Sequence, residues 1–113
     1  MANTDQVRTA IVAHVAAVGA ADVAALTTLY APDGRLHDPA GGQPLVGRTA
    51  IADHFGSVLN EPREVQVAMI AVTGHDAAVH FRATPAGGEA RDVIDTMTFD
   101  DQGLITLMRA YAD

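Results

Sequence analysis

Three side chains in this sequence pair acid–base chemistry with an inward-facing pattern: Asp38, Asp95 and His14. Asp38 closes the run Arg35-Leu36-His37-Asp38 ahead of Pro39. If that run is extended, alternation puts Asp38 on the face of Leu36 and turns Arg35 and His37 the other way. A carboxylate aimed at a core is costly unless it is hydrogen-bonded, paired or partly wet, which makes it a candidate for function. Asp95 lies in Val93-Ile94-Asp95-Thr96-Met97-Thr98-Phe99 and shares its face with Val93, Met97 and Phe99. Among such neighbours the neutral acid is the economical form, and a neutral carboxyl donates a hydrogen bond. His14 follows Val7 by one heptad and Ile11 by three residues, on the apolar stripe of a helix. Each also has a structural reading: an Asp-Pro turn for Asp38, a buried pair with Arg109 for Asp95, and a carbonyl-bonded core histidine for His14.

The elements that must hold these groups follow from periodicity and punctuation. Asn3 or Thr4 caps a helix to about Val18, carrying Val7, Ile11, His14 and Val18 inward and ending at Gly19. Asp22 caps a second helix with Val23, Leu26, Leu29 and Tyr30 inside, which Pro32-Asp33-Gly34 stops and turns into the Asp38 strand. Pro39 to Pro44 reads as a Gly- and Pro-rich flap without a phosphate-loop pattern. Thr49 caps a third helix to about Leu59 with Ile51, Phe55 and Val58 inward. Four longer strands follow, Glu64–Thr73, Ala77–Thr84, Ala90–Asp100 and Leu104–Tyr111, joined by turns at Gly74-His75-Asp76, Pro85 to Gly88 and Asp101-Gln102-Gly103. Three helices and a short strand followed by a meander predict an α+β fold, helices on one face of a curved antiparallel sheet.

Composition narrows the function. The 113 residues make one domain over positions 1–113. Seven basic against fourteen acidic residues give a net charge of −7 with no basic block, which disfavours nucleic acid and anionic membrane and favours a neutral ligand. The sequence has no cysteine, hence neither disulfide nor thiolate chemistry. No stretch approaches the ~20 apolar residues of a membrane span, and the first residues lack the charged and apolar regions of a signal peptide. A cytoplasmic protein is expected. None of the five histidines shows zinc-ligand spacing.

Together, Val12-Ala13-His14-Val15-Ala16-Ala17, the segment from Ala21-Asp22 to Leu29-Tyr30-Ala31, His37-Asp38-Pro39, Gly47-Arg48-Thr49-Ala50-Ile51, Ile94-Asp95 and Met108-Arg109-Ala110 resemble the bacterial Δ5-3-ketosteroid isomerases of the NTF2-like, SnoaL-like superfamily. The resemblance runs over nearly the whole chain, with a gap near the Pro85 turn. It implies an NTF2-like cone, three N-terminal helices on a curved mixed or antiparallel sheet, with a steroid pocket inside and a homodimer formed across the sheets. It implies Asp38 as proton-shuttling general base and a protonated Asp95 in the oxyanion hole, the family's division of labour. His14 stands where the family places its tyrosine donor. Tyr30, Phe55, Val58, Met97 and Met108 are the expected substrate contacts. The implied partner is a small apolar ketone or steroid, and no metal, flavin or nucleotide is required.

The departures from the family are informative. At position 14 an imidazole replaces a phenol, Phe55 lacks a hydroxyl, and Tyr30 is left as the tyrosine able to support His14. His54 replaces an apolar pocket residue, which suggests a more polar ligand or altered packing. The same scaffold also suits cyclisation of a polyketide-like ketone or other enolate chemistry, or steroid or lipid binding without turnover.

Overall fold

The computed structural model describes residues 2–113, and its first helix begins with a reciprocal cap. The Asn3 side chain accepts from the Gln6 N–H at 2.8 Å, and the Gln6 side chain accepts from the Asn3 N–H at 2.9 Å. Helix α1 spans Thr4–Ala20 and buries Val7, Ile11, His14 and Val15. Gly19 does not end it, contrary to expectation; the break comes at Ala21, which adopts a left-handed conformation (φ 54°). Gly19 serves packing instead, since a Cβ there would come within 2.8 Å of Val65 and 3.2 Å of the Arg63 carbonyl oxygen. The helix thus lies close against the sheet strand that contains Arg63 and Val65.

Asp22 caps the short α2, Val23–Thr28, by accepting from the Ala25 N–H at 3.0 Å. Strand β1 then starts at Tyr30 and runs to His37, so Pro32-Asp33-Gly34 lies within a strand where a turn was expected. The punctuation produces an irregularity, a slip in pairing between Tyr30 and Arg35. Gly34 permits it, because a Cβ there would sit 2.9 Å from the Ile105 carbonyl oxygen. The two-residue β2, Leu45–Val46, pairs antiparallel with β1 and divides the Gly- and Pro-rich loop from α3, Arg48–Val58. Thr49 is inside α3, not its cap. Gly47 holds the N-cap position at φ 90°, and Arg48 donates from Nε to the Tyr30 carbonyl oxygen at 2.9 Å.

The remaining strands are β3 Arg63–Thr73, β4 Asp76–Pro85, β5 Arg91–Phe99 and β6 Ile105–Ala112. They form an antiparallel meander, and the sheet order is β2-β1-β6-β5-β4-β3. Strand β1 runs parallel to β6, which makes this open six-stranded sheet mixed. The three helices pack on its inner face, where Val7, Ile11, Leu26, Leu36, Ile51 and Ile105 are almost completely buried. On the outer face Met69, His80, Ile94 and Tyr111 are successive cross-strand partners. Met69, Ile94 and Tyr111 of that row are exposed. No helix is long and apolar enough to cross a membrane among the described residues.

Candidate functional site

Alternation along β4, β5 and β6 determines the floor of a cavity between the sheet and the helices. Phe81 and Ala83, Val93 and Asp95, and Met108 and Ala110 face it from the three strands. His14 and Val18 of α1 and His54, Phe55 and Val58 of α3 form the other walls, and Asp38 enters just after β1. The cavity encloses about 370 Å³ and brings together all three acid–base residues singled out in the sequence. Of the expected contact residues, Phe55, Val58 and Met108 line it, whereas Tyr30 and Met97 do not. Tyr30 is fully buried behind His14, and Met97 is buried in the core.

His14 and Asp95 are the two buried polar residues of the described core. His14 Nε2 lies 2.9 Å from the Tyr30 hydroxyl, and its Nδ1 has no partner among the described residues. Burial lowers the imidazole from 6.5 to about 4, so it is neutral at pH 7. Its ring meets Phe55 edge-on, with centroids 6.4 Å apart. Asp95 is 2% exposed, and its Oδ1 also has no partner among the described residues. Desolvation, with a lesser contribution from the Asp38 charge, raises this carboxyl from 3.8 to about 7. The expected alternative, a pair with Arg109, does not occur: Arg109 is exposed and makes no salt bridge among the described residues. Burial, then the charges of Asp95 and Asp38, push the Tyr30 phenol well above its usual range, so Tyr30 keeps its proton.

Asp38 keeps its side chain one-third exposed. Its Oδ2 accepts from His54 Nε2 at 2.9 Å, which leaves Oδ1 for a ligand. This pairing was not legible in the sequence, because the partners are sixteen positions apart on different elements. The only signal was His54 itself, a polar residue three positions after inward Ile51. Sequence reasoning also missed Arg63 and Arg91, which line the same cavity at the starts of β3 and β5. The assembled site therefore holds a part-exposed carboxyl with one oxygen bonded to His54, a buried carboxyl raised to about 7, and a neutral imidazole backed by a phenol.

The family model of the SnoaL-like domain matches residues 11–108. A steroid Delta-isomerase of Nocardioides simplex is 40% identical over 110 residues, covering 94% of this chain and 89% of that protein. Among solved structures, SalBIII, described as an epoxide hydrolase/cyclase-like enzyme in pyran ring formation in the polyether salinomycin, superposes with a TM-score of 0.85. That likeness covers 100% of this chain and 95% of the other at 20% identity, and it supports the fold alone. The chain belongs to the SnoaL-like family of NTF2-like proteins.

Proposed function

We propose that the chain is a steroid isomerase that moves the Δ5 double bond of a 3-oxosteroid to Δ4 through a dienolate. The observation that carries this reading is the pair of buried, unpartnered polar atoms, His14 Nδ1 and Asp95 Oδ1, in the cavity that also holds Asp38. Buried polar atoms are rarely left unpaired, and these two, on residues that line one cavity, suit a ligand oxygen that completes them. The 40% identity to a steroid Delta-isomerase supports the same substrate class.

In the reaction, ionised Asp38 takes a proton through Oδ1 from the carbon between the ketone and the double bond. The C–H electrons move into the carbonyl, and negative charge collects on its oxygen as a dienolate. Protonated Asp95 donates its O–H to that oxygen. His14 donates from Nδ1, with the Tyr30 hydroxyl donating to Nε2 and so keeping the imidazole proton on the cavity side. Asp38 then returns the same proton two carbons further on, which leaves the double bond conjugated and the base regenerated. Preorganised donors aimed at the developing charge contribute most to such a reaction, each typically ~10²–10³ in turnover. His54 holds Asp38 Oδ2, so one carboxylate oxygen is fixed while the other shuttles.

A homodimer belongs to this proposal, formed across the outer sheet faces where the row of Met69, His80, Ile94 and Tyr111 is available. The experiment is ultraviolet absorbance after adding a 5-ene-3-ketosteroid, because the conjugated product absorbs where the substrate does not. Wild type is expected to turn over, and Asp38→Asn to bind the steroid yet lose proton transfer. Absence of turnover with intact binding would point to a carrier, and comparable weakening of binding in Asp38→Asn would make Asp38 structural.

A further inference from the structure

The cavity contains two cations that the isomerisation does not use. Arg63 and Arg91 both line it, and neither forms a salt bridge with a side-chain carboxylate among the described residues. Arg63 is half-buried, and its Nε is buried without a hydrogen-bond partner among the described residues. One of its terminal nitrogens makes a long contact, 3.4 Å, with the Val58 carbonyl oxygen at the end of α3. Arg91 is exposed and donates to the backbone oxygen of Asp113. The sequence contains only seven cationic residues and carries a net charge of −7. Placing two of them at one apolar concavity with no side-chain carboxylate partner among the described residues opposes the general trend of the molecule.

Their position in the sheet is specific. Arg91 lies directly across from Ala83 of β4, and on the far side of β4 Ala83 faces Val65, two residues after Arg63. The two guanidinium-bearing residues thus flank the same end of β4. Arg91, Val93 and Asp95 alternate onto one face, so the arginine end is four strand residues, roughly 13 Å, from Asp95. A ketone oxygen bound at Asp95 therefore leaves the arginines to the opposite end of an elongated ligand. Val93, Phe81, Val58 and Ala112 provide the apolar lining of the cavity.

We infer that Arg63 and Arg91 form a subsite for a carboxylate or comparable monoanion carried at the end of the ligand remote from the reacting ketone. The ligand is then an apolar ketone with an acidic tail rather than the wholly neutral molecule that net charge suggested. Guanidinium groups recognise carboxylates through paired, charge-assisted N–H···O bonds, and the buried Arg63 Nε gains its missing acceptor. The inference rests on the proposed steroid-sized substrate for the orientation of the ligand, and on the cavity alone for its charge.

Its test avoids turnover. A saturated 3-ketosteroid ending in a side-chain carboxylate and its methyl ester are titrated calorimetrically into the full chain. The acid is expected to bind about tenfold or more tightly, the scale of a charge-assisted hydrogen bond, and to lose most of that advantage in high salt. Arg63→Gln and Arg91→Gln should each shrink the acid-to-ester ratio, with the double variant near unity, and Arg63→Lys should restore part of it. The salt series on wild type keeps the inference testable if a variant fails to fold. Equal affinities for acid and ester overturn the subsite, and turnover of a neutral 5-ene-3-ketosteroid then leaves isomerisation standing. Preferential acid binding, with no turnover of either a neutral 5-ene-3-ketosteroid or its side-chain carboxylate analogue in the absorbance assay, sustains the subsite and removes the isomerase reading. Binding of neither compound overturns the subsite, and the absorbance assay decides the isomerase reading separately.

Discussion

Asp95→Asn should stabilise the fold at alkaline pH while impairing the reaction. Asn matches Asp in size, so packing is conserved and the change removes only the ability to ionise. The folded carboxyl sits at about 7, against an ordinary value of 3.8. Between about pH 4 and 7 the folded chain therefore keeps a proton that the unfolded chain has released. Stability falls as pH rises across that window, and the full penalty is in force above it, on the order of 4 kcal/mol. His14 acts in the opposite sense. Below 6.5 the unfolded imidazole takes a proton that the folded one refuses until about 4. Its contribution is lost as pH falls, by about 3 kcal/mol over that range. The two slopes oppose each other between about pH 4 and 6.5, so wild type alone conceals both, whereas the difference between Asp95→Asn and wild type isolates Asp95. Urea unfolding of both proteins at pH 4.5, 6.5 and 8.5 measures that difference. The difference is expected to grow toward alkaline pH by at least ~2 kcal/mol, allowing for water entry and relaxation around an ionised Asp95. A difference constant to within about 0.5 kcal/mol would mean that Asp95 titrates as an ordinary carboxyl, and the neutral donor would be lost with it. Activity gives an independent reading: wild-type turnover should decline as pH rises through about 7, and Asp95→Asn should lack that decline.

His54→Phe keeps an aromatic ring against Asp38 but removes the N–H that anchors Oδ2. Turnover is expected to fall about tenfold with KM little changed, the scale of one charge-assisted hydrogen bond; an unchanged turnover number refutes the positioning role. Tyr30→Phe removes the hydroxyl beside His14 Nε2, and it should lower turnover severalfold and stability by about 1–2 kcal/mol. Combined with His14→Gln it should cost little more than His14→Gln alone, and additive losses would show that the two do not act as a unit. Ile94→Asp places a charge in the centre of the exposed outer row and should yield monomers in sedimentation velocity. A wild type that sediments as a monomer at micromolar concentration refutes the dimer directly.

The parts of the site that were legible in the sequence are those governed by local period. Heptad spacing from Val7 put His14 inside, and strand alternation put Asp95 on the face of Met97 and Phe99, where both are buried. Most strands and helices followed the same logic, with ends displaced by a residue or two, but β1 begins five residues before Arg35 and the two-residue β2 was not expected. Errors arose where tertiary contacts override local signals. Gly19 has the chemistry of a helix stop, but close approach of Val65 and Arg63 requires a glycine inside α1. Pro32-Asp33-Gly34 has the chemistry of a turn, but hydrogen bonding to β6 draws it into a bulged strand. The parallel β1–β6 pairing joins segments from opposite ends of the chain, and no local period encodes it. The same applies to Asp38 and His54, whose bond exists only once α3 has folded over the end of β1. Arg63 and Arg91 escaped notice because each opens a strand, where a charged residue ordinarily faces solvent.

The two proposed oxyanion donors, His14 and Asp95, do not impose the same cost on the fold, and that difference bears on how catalysis would be shared between them. At pH 7 His14 is neutral in the folded chain and mostly neutral in the unfolded chain, so burying it carries almost no titration penalty. Asp95 carries nearly its full penalty at the same pH. A neutral carboxyl near 7 is also far closer in acidity to an enol than a neutral imidazole N–H is, and a stronger acid donates more to a developing oxyanion. The costly donor should therefore contribute more. With an imidazole at position 14, Asp95→Asn is expected to reduce turnover at pH 6 more than His14→Gln does, by about tenfold, both variants retaining an amide donor. Asp95 is mostly protonated at that pH, so the comparison is made with both donors intact in wild type. The reverse order would place the principal donor on His14 and its Tyr30 support, and Asp95 would then serve chiefly to hold the proton balance beside Asp38.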